Sequence, residues 1–457
     1  MLTFAVTGAD TASAWLGDQL AEEITAALAV LERLDVRTRT LVRRQEHLLA
    51  ANLPALGRAL NVRYVVEGGV QTVRGRLRIR SQLVRAMDGH IIWSRPFGGA
   101  ADSILDAEEA IATAVATGIA GRLLPEEASR VARRPTSNDA AYREFLHGNI
   151  ELARRTEAGM AAAASLYQSA ARRDPGFTRA LGRLAYAHAL ALSNDWGLPG
   201  VPPESVATRG LALADRALGQ DPADADALLA RGYIHRLQGD YRQARADFRT
   251  AVATDSTNAE AWHRLGQVLL LPEEQSAAVV AYLRALSLEP DRPATLADLT
   301  TALVRQGRTA EAAFWSDSLI ALAPDHPHAF YSRVWVRLMQ GDVRGARAAF
   351  DRMPAQQQQI YWSLEASLVS AEGDSAGVRR VLARVRDTPD VPRDPYLRVL
   401  SRLWVGDREG ALDALAEVPI GGGGLLLTSA FYLGGRLDAR GDPRYERFRA
   451  ACEASLR

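Results

Sequence analysis

The sequence predicts a mainly α protein, a helix-turn-helix solenoid preceded by a small α+β domain with the element order βαβαβββα. Three observations predict it. One turn signal recurs every 34 residues through the middle of the chain, a second and independent one keeps nearly the same period to the end, and the first 125 residues alternate short apolar strands with helices instead.

The first signal closes each unit. Asp221-Pro222, Asp255-Ser256, Glu289-Pro290 and Ala323-Pro324 fall 34 residues apart. Proline stops a helix there because it restricts the residue before it and has no N–H to continue the ladder. The second signal is Gly239-Asp240, Glu273, Gly307-Arg308, Gly341-Asp342, Gly373-Asp374, Gly406-Asp407 and Gly441-Asp442, spaced by 34, 34, 34, 32, 33 and 35. Two registers sharing one period specify stacked units, each burying a face against its neighbour.

Within a unit, the residues that must be small or large are in place. From Ala225 they are Leu228, Gly232, Ala244, Phe248 and Ala251, and in the next unit Trp262, Leu265, Gly266, Ala278, Tyr282, Ala285 and Pro290. Gly232, Gly266, Ala244 and Ala278 let two helices approach closely, and Phe248 and Tyr282 fill the space between units. This pattern resembles the tetratricopeptide (TPR) repeat. The resemblance is strong over 225–324, extends to about 350 through Phe330, Ala346 and Phe350, and loosens beyond. Upstream, Asp139 to Pro175 reads as a divergent unit with Phe145, Gly148, Ala163, Tyr167 and Ala170. The excess between Pro175 and Pro222, Ser193 to Pro203, reads as a loop. The expected organisation is a domain at 1–125, a linker at 126–138 and a solenoid at 139–457 of about seven to eight helix pairs, capped by the segment from Asp442 to Tyr445. Gln356 to Gln359 and Gly421 to Gly424 read as loops.

In the first 125 residues the elements are a strand (Leu2 to Val6), a helix (Trp15 to Leu31), a strand (Val36 to Val42), a helix (Leu48 to Leu60), three strands and a closing helix from Asp102. Asp88-Gly89 is a tight hairpin turn between the last two strands. The stretches Trp15 to Ile24, Leu60 to Val70 and Gln82 to Ser94 resemble the domain that precedes TPR arrays in bacterial adenylate or guanylate cyclases, winged-helix regulators and kinases, related to the amino-terminal domain of TolB and to FlgO. That resemblance implies a sensory or regulatory moiety. Thr3-Phe4 stands where that family has a Pro-Phe pair. No effector domain or membrane segment precedes it in this sequence, so a stand-alone form or a lost upstream part is expected.

Composition removes several chemistries. Net charge is +1, and residues 1–130 hold 15 Arg against 15 Asp and Glu, which disfavours nucleic-acid binding by bulk charge. All 55 basic residues are Arg, so lysine-dependent phosphate loops and Schiff bases are excluded. Cys452 alone forms no intrachain disulfide or multi-cysteine metal site. Met1 to Asp18 has no basic n-region, and Val418 to Gly435 is broken by Pro419 and glycines. A cytoplasmic location is expected from the chain as written, or a periplasmic one if a membrane segment lies upstream. His326 and His328 flank Pro327 without further ligands at metal-binding spacing and read as a solvated loop, leaving no cofactor or metal expected. Glu22-Glu23, Glu108-Glu109 and Glu126-Glu127 read as solvated faces, and Arg74, Arg76, Arg78 and Arg80 as an exposed strand face without interleaved aromatics for base stacking.

The surface that remains is the inner wall of the solenoid, where the TPR resemblance implies that a peptide or helix lies. Counting from unit starts at 225, 259, 293 and 327, its positions are Tyr233, Arg236, His263, Gln267, Thr301, Arg305, His328, Tyr331 and Trp335. Exposed aromatics and arginines are common interface anchors. The function expected is non-enzymatic protein or peptide binding. The alternative is the regulatory portion of a cyclase, kinase or transcription regulator, and self-association through the last repeats is a further possibility.

Overall fold

The computed structural model of the chain describes all residues except 1, 3, 8–14, 32, 38, 46–51, 74–75, 98–103, 270–271, 387–394, 405, 419–440 and 457. They fall into two compact units, residues 1–237, 247–259 and 288–290 in the first and 238–246, 260–287 and 291–457 in the second. The fold is a TPR-like helical solenoid preceded by a small α+β domain.

The α+β domain, in the first unit, is built on a four-stranded sheet in the order β1 (Ala5–Thr7), β2 (Tyr64–Val73), β3 (Arg76–Arg85) and β4 (Ile91–Phe97). β1 runs parallel to β2 and the other pairs are antiparallel. The β3–β4 hairpin turns at Asp88-Gly89, where Gly89 takes φ +72° and Asp88 accepts the N–H of His90 at 3.1 Å. Helices α1 (Leu16–Ala29) and α4 (Ile104–Ala120) pack against each other and the sheet, burying Leu20, Ile24, Ile111 and Val115 with Val70, Ile79 and Leu83. Alternation along the strands and i, i+4 spacing along the helices place these residues inside.

The strand expected at Val36 to Val42 is not formed, and helix α2 (Arg39–Gln45) occupies most of it. Arg39 and Arg43, four apart and so on one side of a helix, reach Asp18 of α1 at 3.0 and 2.8 Å, while Val42 enters the core. The helical spacing brings both arginines to Asp18 and Val42 to the core. Helix α3 (Leu53–Leu60) follows, capped by Asn52, which accepts the N–H of Ala55 at 2.8 Å; positions 48–51 of the expected helix lie outside the described residues. The order is therefore βαααβββα. The expected linker carries a short helix, α5 (Pro125–Val131), and Arg134 after it pairs with Asp106 and Glu109, both at 2.7 Å. Arg78 and Arg80 of β3 are exposed. Arg74 lies outside the described residues.

From residue 139 the described residues form eight helix pairs: α6 (Asp139–Ala153) with α7 (Glu157–Arg173), α8 (Thr178–Asn194) with α9 (Val206–Gln220), α10 (Ala225–Leu237) with α11 (Tyr241–Thr254), α12 (Ala259–Val268) with α13 (Gln275–Leu288), α14 (Pro293–Arg305) with α15 (Thr309–Leu322), α16 (His328–Met339) with α17 (Val343–Asp351), α19 (Trp362–Ala371) with α20 (Ser375–Arg386), and α21 (Pro395–Trp404) with α22 (Arg408–Ala414). Between α17 and α19, the Gln356 to Gln359 run expected as a loop is a short helix, α18 (Ala355–Ile360). Gln358 there donates to the carbonyl of Met353 at 2.9 Å, which ties the run to the preceding unit. Gly421 to Gly424 lie outside the described residues.

The Gly-Asp turns show why that dipeptide marks each unit. Gly341 closes α16 at φ +75°, a conformation that costs other residues a clash at Cβ. Asp342 then caps α17 by accepting the N–H of Gly345 at 2.8 Å. In the second unit, the terminal helix Pro443–Leu456 buries Tyr445, Phe448 and Cys452 beside Trp404 and Leu412, and burial pushes the Cys452 thiol up to about 11. Arg444 at its start pairs with Glu409, Asp413 and Asp442 at 2.6–2.9 Å.

Carboxylates expected as solvated prove otherwise in part. Neighbouring residues on a helix point about 100° apart, so Glu22 is exposed while Glu23 is 6% exposed. Within the first unit, Glu23 accepts from both terminal nitrogens of Arg179 on α8, at 2.8 and 3.2 Å, and Glu108 accepts the Tyr142 hydroxyl of α6 at 2.5 Å.

Candidate functional site

The inner face is fixed by where paired helices touch. A Cβ on Gly148, Gly232 or Gly266 would lie 2.6, 2.9 and 2.6 Å from the rings of Tyr167, Phe248 and Tyr282. These glycines therefore face the second helix of their pair. The residue after each glycine (Asn149, Tyr233, Gln267) and those three and six before the glycine (Phe145, Leu229, His263; Tyr142, Asp226, Glu260) share one stripe, about a quarter-turn round the helix from it.

In the first unit, Tyr233 is 3% exposed; its hydroxyl donates to Ser193 Oγ at 2.7 Å and its ring lies 6.3 Å from that of Tyr186. The Arg236 guanidinium sits 5.1 Å above the Tyr233 ring, and its Nε is buried without a hydrogen-bond partner. Tyr233 is thus the floor of this face, and Arg236 the group that covers it.

In the second unit, four of the expected positions, His263, Gln267, Arg305 and His328, feel Asp298, which sequence reasoning missed. Its carboxylate accepts from Gln267 Nε2 at 2.8 Å and lies 3.6 Å from His263 Nε2. It also acts electrostatically on Arg305 and His328. His263 is 2% exposed, with Nδ1 2.7 Å from Thr295 Oγ1; burial holds its pKa down, to about 4, although Asp298 and Glu260 pull the other way. Glu260 is pinned by Arg264 at 2.7 Å and by Arg292, which keep its carboxyl well below the ordinary range despite burial. Burial likewise lowers the pKa of Arg305. Thr301 donates to the carbonyl of Ala297 at 3.0 Å. His263 is therefore committed inside the fold, Thr301 is half-buried with its hydroxyl tied to its own helix, and Gln267 joins Asp298 to the Arg264 guanidinium, whose nitrogen donates to it at 3.0 Å.

Along α16 the face turns aromatic. Tyr331 packs edge-on to His328 at 5.6 Å and to Trp335 at 6.3 Å, and Tyr361 closes on Tyr331 at 4.8 Å and on His328 at 6.0 Å. His328 is exposed; Tyr331, Trp335 and Tyr361 are half-buried, with their inner edges against the core around Phe330, Val334 and Leu364. Tyr361 lies 30 residues after Tyr331, outside the 34-residue register, which is why spacing did not find it. Among the described residues no group of three or more His, Cys, Asp or Glu side chains is placed to hold a metal ion. No described helix is long and apolar enough to cross a membrane.

This architecture is that of tetratricopeptide repeats, which in general are non-catalytic scaffolds for protein interaction. Two family models match the chain itself, one described as TPR repeat over residues 232–271 and one as tetratricopeptide repeat over 259–292. A Rhizobium meliloti (strain 1021) protein named "Putative adenylate cyclase 3" is 23% identical over 244 residues, 52% of this chain and 40% of its own length. A Pseudomonas fluorescens (strain SBW25) protein named "Cellulose synthase operon protein C" is 25% identical over 199 residues, 39% of this chain and 15% of its own. The chain thus spans well under half the length of either relative. Among solved structures, the type IV pilus biogenesis factor PilW matches 46% of this chain and 96% of its own at 17% identity, with a TM-score of 0.39.

Proposed function

We propose that the chain is a non-enzymatic scaffold that binds a protein or peptide segment on the inner face of its repeats. The observation that carries this reading is the aromatic group His328, Tyr331, Trp335 and Tyr361, open or half-open to solvent, of which the first three are positions that the TPR resemblance assigns to the groove wall. Rings held by their neighbours present apolar area at little further entropic cost, and Gln267 and Arg305 on the same unit supply polar and charged contacts. Arg236 offers a second anchor in the first unit. The reading takes residues 1–125 as a docking or sensing domain, 126–138 as the connection and 139–457 as the binding array. Self-association through the last repeats is compatible with it.

A pull-down from native lysate tests the reading, with the full chain compared against Arg236→Ala combined with Trp335→Ala, both checked for unchanged helical content. A protein retained by the wild type and lost from the variant supports the groove and names its ligand. Equal retention by both removes these residues from the binding surface.

A second reading, the sensory or regulatory portion of a bacterial signalling protein, is favoured by the likeness of residues 1–125 to the TolB- and FlgO-related domain and by the match to the Rhizobium protein. An effector encoded in frame upstream of Met1 would select it, and a membrane segment there would place these domains in the periplasm. Without them, the scaffold reading and a cytoplasmic location stand.

A further inference from the structure

The inner face of the first two repeats is already in use. Arg179 and Tyr142 occupy equivalent positions on α8 and α6, and both bind carboxyl groups of the α+β domain, those of Glu23 and Glu108. Asn149 meets Gln19, amide to amide at 3.5 Å, and His147, beside Gly148 and off the stripe of α6 that carries Tyr142 and Asn149, stacks on Trp15 at 5.7 Å with their planes 10° apart. Trp15, Gln19 and Glu23 are four residues apart each time, so they form one stripe along α1.

The stripe engages the repeats as a helical ligand engages a groove. The Glu23 side chain is 7% exposed, and Arg179, 4.9 Å above the fully buried Phe145 ring, holds it with two nitrogens, the geometry that best selects a carboxylate. Among the described residues the stripe's other contacts with α6 are one weak amide contact and one aromatic stack. The adjacent stripe of α1, Leu16, Leu20, Ile24 and Leu28, is buried in the α+β domain itself. Leaving the repeats would separate the Glu23–Arg179 and Glu108–Tyr142 pairs and uncover the aromatic rings beneath them, while the Leu16, Leu20, Ile24 and Leu28 stripe of α1 keeps its own core.

We propose that the inner face of the first two repeats is a binding site for an acidic amphipathic helix, occupied here by the chain's own α1, and that a partner helix with an aromatic, an amide and a carboxylate at i, i+4 and i+8 exchanges with it. The recognition chemistry is that of the resident stripe: Arg179 for the carboxylate, Asn149 for the amide and His147 for the aromatic ring. Tethering gives α1 a high effective concentration, so the partner binds only where the resident contact is weakened or outcompeted. This inference concerns the first unit and does not rest on the aromatic face of the second.

The test uses the full chain and a fluorescent peptide of residues 15–29. Trp15→Ala with Glu23→Ala in the chain loosens the resident stripe and leaves Arg179 intact. The expected result is faster hydrogen exchange in α6 and α8 and peptide binding at least about tenfold tighter than to wild type, the factor carried by one charge-assisted contact. Adding Arg179→Ala, or replacing the glutamate equivalent to Glu23 in the peptide by alanine, should return binding to the wild-type level. Unchanged exchange in α6 and α8 overturns the proposal because the stripe does not hold the face. Faster exchange without peptide binding overturns it because the face does not accept a separate helix. If the double variant fails to fold, Glu23→Gln, which removes the charge and keeps the shape, is judged by the same two readings.

Discussion

Gly266 lies flat against the ring of Tyr282, so close that a Cβ at position 266 would stand 2.6 Å from Cε1. The ring is 3% exposed and cannot swing into solvent without opening the contact between α12 and α13. Gly266→Val should therefore lower unfolding free energy by roughly 1–3 kcal/mol, the range for overpacking a close-packed contact. Chemical denaturation of the full chain measures it. A neutral result would show that the two helices separate without cost.

Arg231 separates a costly ion pair from a cheap one. It donates to both oxygens of Asp247 at 3.0 and 2.7 Å and to Asp215 at 2.9 Å. The Asp247 side chain is 7% exposed and that of Asp215 59%. Arg231→Ala strands a buried carboxylate and should cost roughly 2–4 kcal/mol, whereas Asp215→Ala, removing a solvated partner, should cost under about 1 kcal/mol. Paired denaturation curves decide, and equal losses would mean that burial at Asp247 is not what sets the value.

The repeat was legible because turns carry it: Gly341 must reach positive φ and Asp342 must cap, so the pair recurs between the two helices of most units from residue 225 on. The closeness of Gly232 to Phe248 was legible for a similar reason, since only glycine admits the ring. Val36 to Val42 was read as a strand, and the helix over 39–45 was missed because the pairing of Arg39 and Arg43 with Asp18 depends on α1 lying alongside. Asp298 and Tyr361 fall off the counted positions and enter the candidate face only through three-dimensional neighbours. Glu23 meets a residue 156 positions away, and nothing local in either segment announces the pair.

Glu108 should make the first unit less stable as pH rises. Burial and the nearby Glu23 raise its pKa well above 4.5, while the hydrogen bond from Tyr142 and the charge of Arg179 oppose them in part. The folded chain then holds a proton that the unfolded chain has released, so this contribution is full below about pH 4.5 and is lost as pH climbs through the folded value. Glu108→Gln keeps an acceptor for Tyr142 and removes the titration. The variant should melt at a less pH-dependent temperature than wild type and be the more stable of the two at alkaline pH. Parallel pH slopes for the two proteins would show Glu108 to be ionised in the fold.

His263 carries the opposite sign in the second unit. Its pKa falls from 6.5 to about 4, chiefly through burial; Asp298 and Glu260 favour its charged form, Arg264 and Arg292 oppose it, and Thr295 bonds the ring. Between those values the unfolded chain takes up a proton that the folded chain refuses, so stability is complete above about pH 6.5 and drains as pH falls toward 4. At about 1.4 kcal/mol per unit the full loss is about 3 kcal/mol. Denaturation of wild type and His263→Gln at pH 7.5, 6 and 5 isolates it, because the variant pays its packing cost equally at each pH and lacks the titration. The wild-type advantage should shrink steadily on acidification, which a static loss of the Thr295 hydrogen bond cannot produce. An advantage that stays constant from pH 7.5 to 5 would mean that the ring is protonated in the folded chain and paired with Asp298, 3.6 Å away, and His263 would then belong with the charged groups of the candidate face.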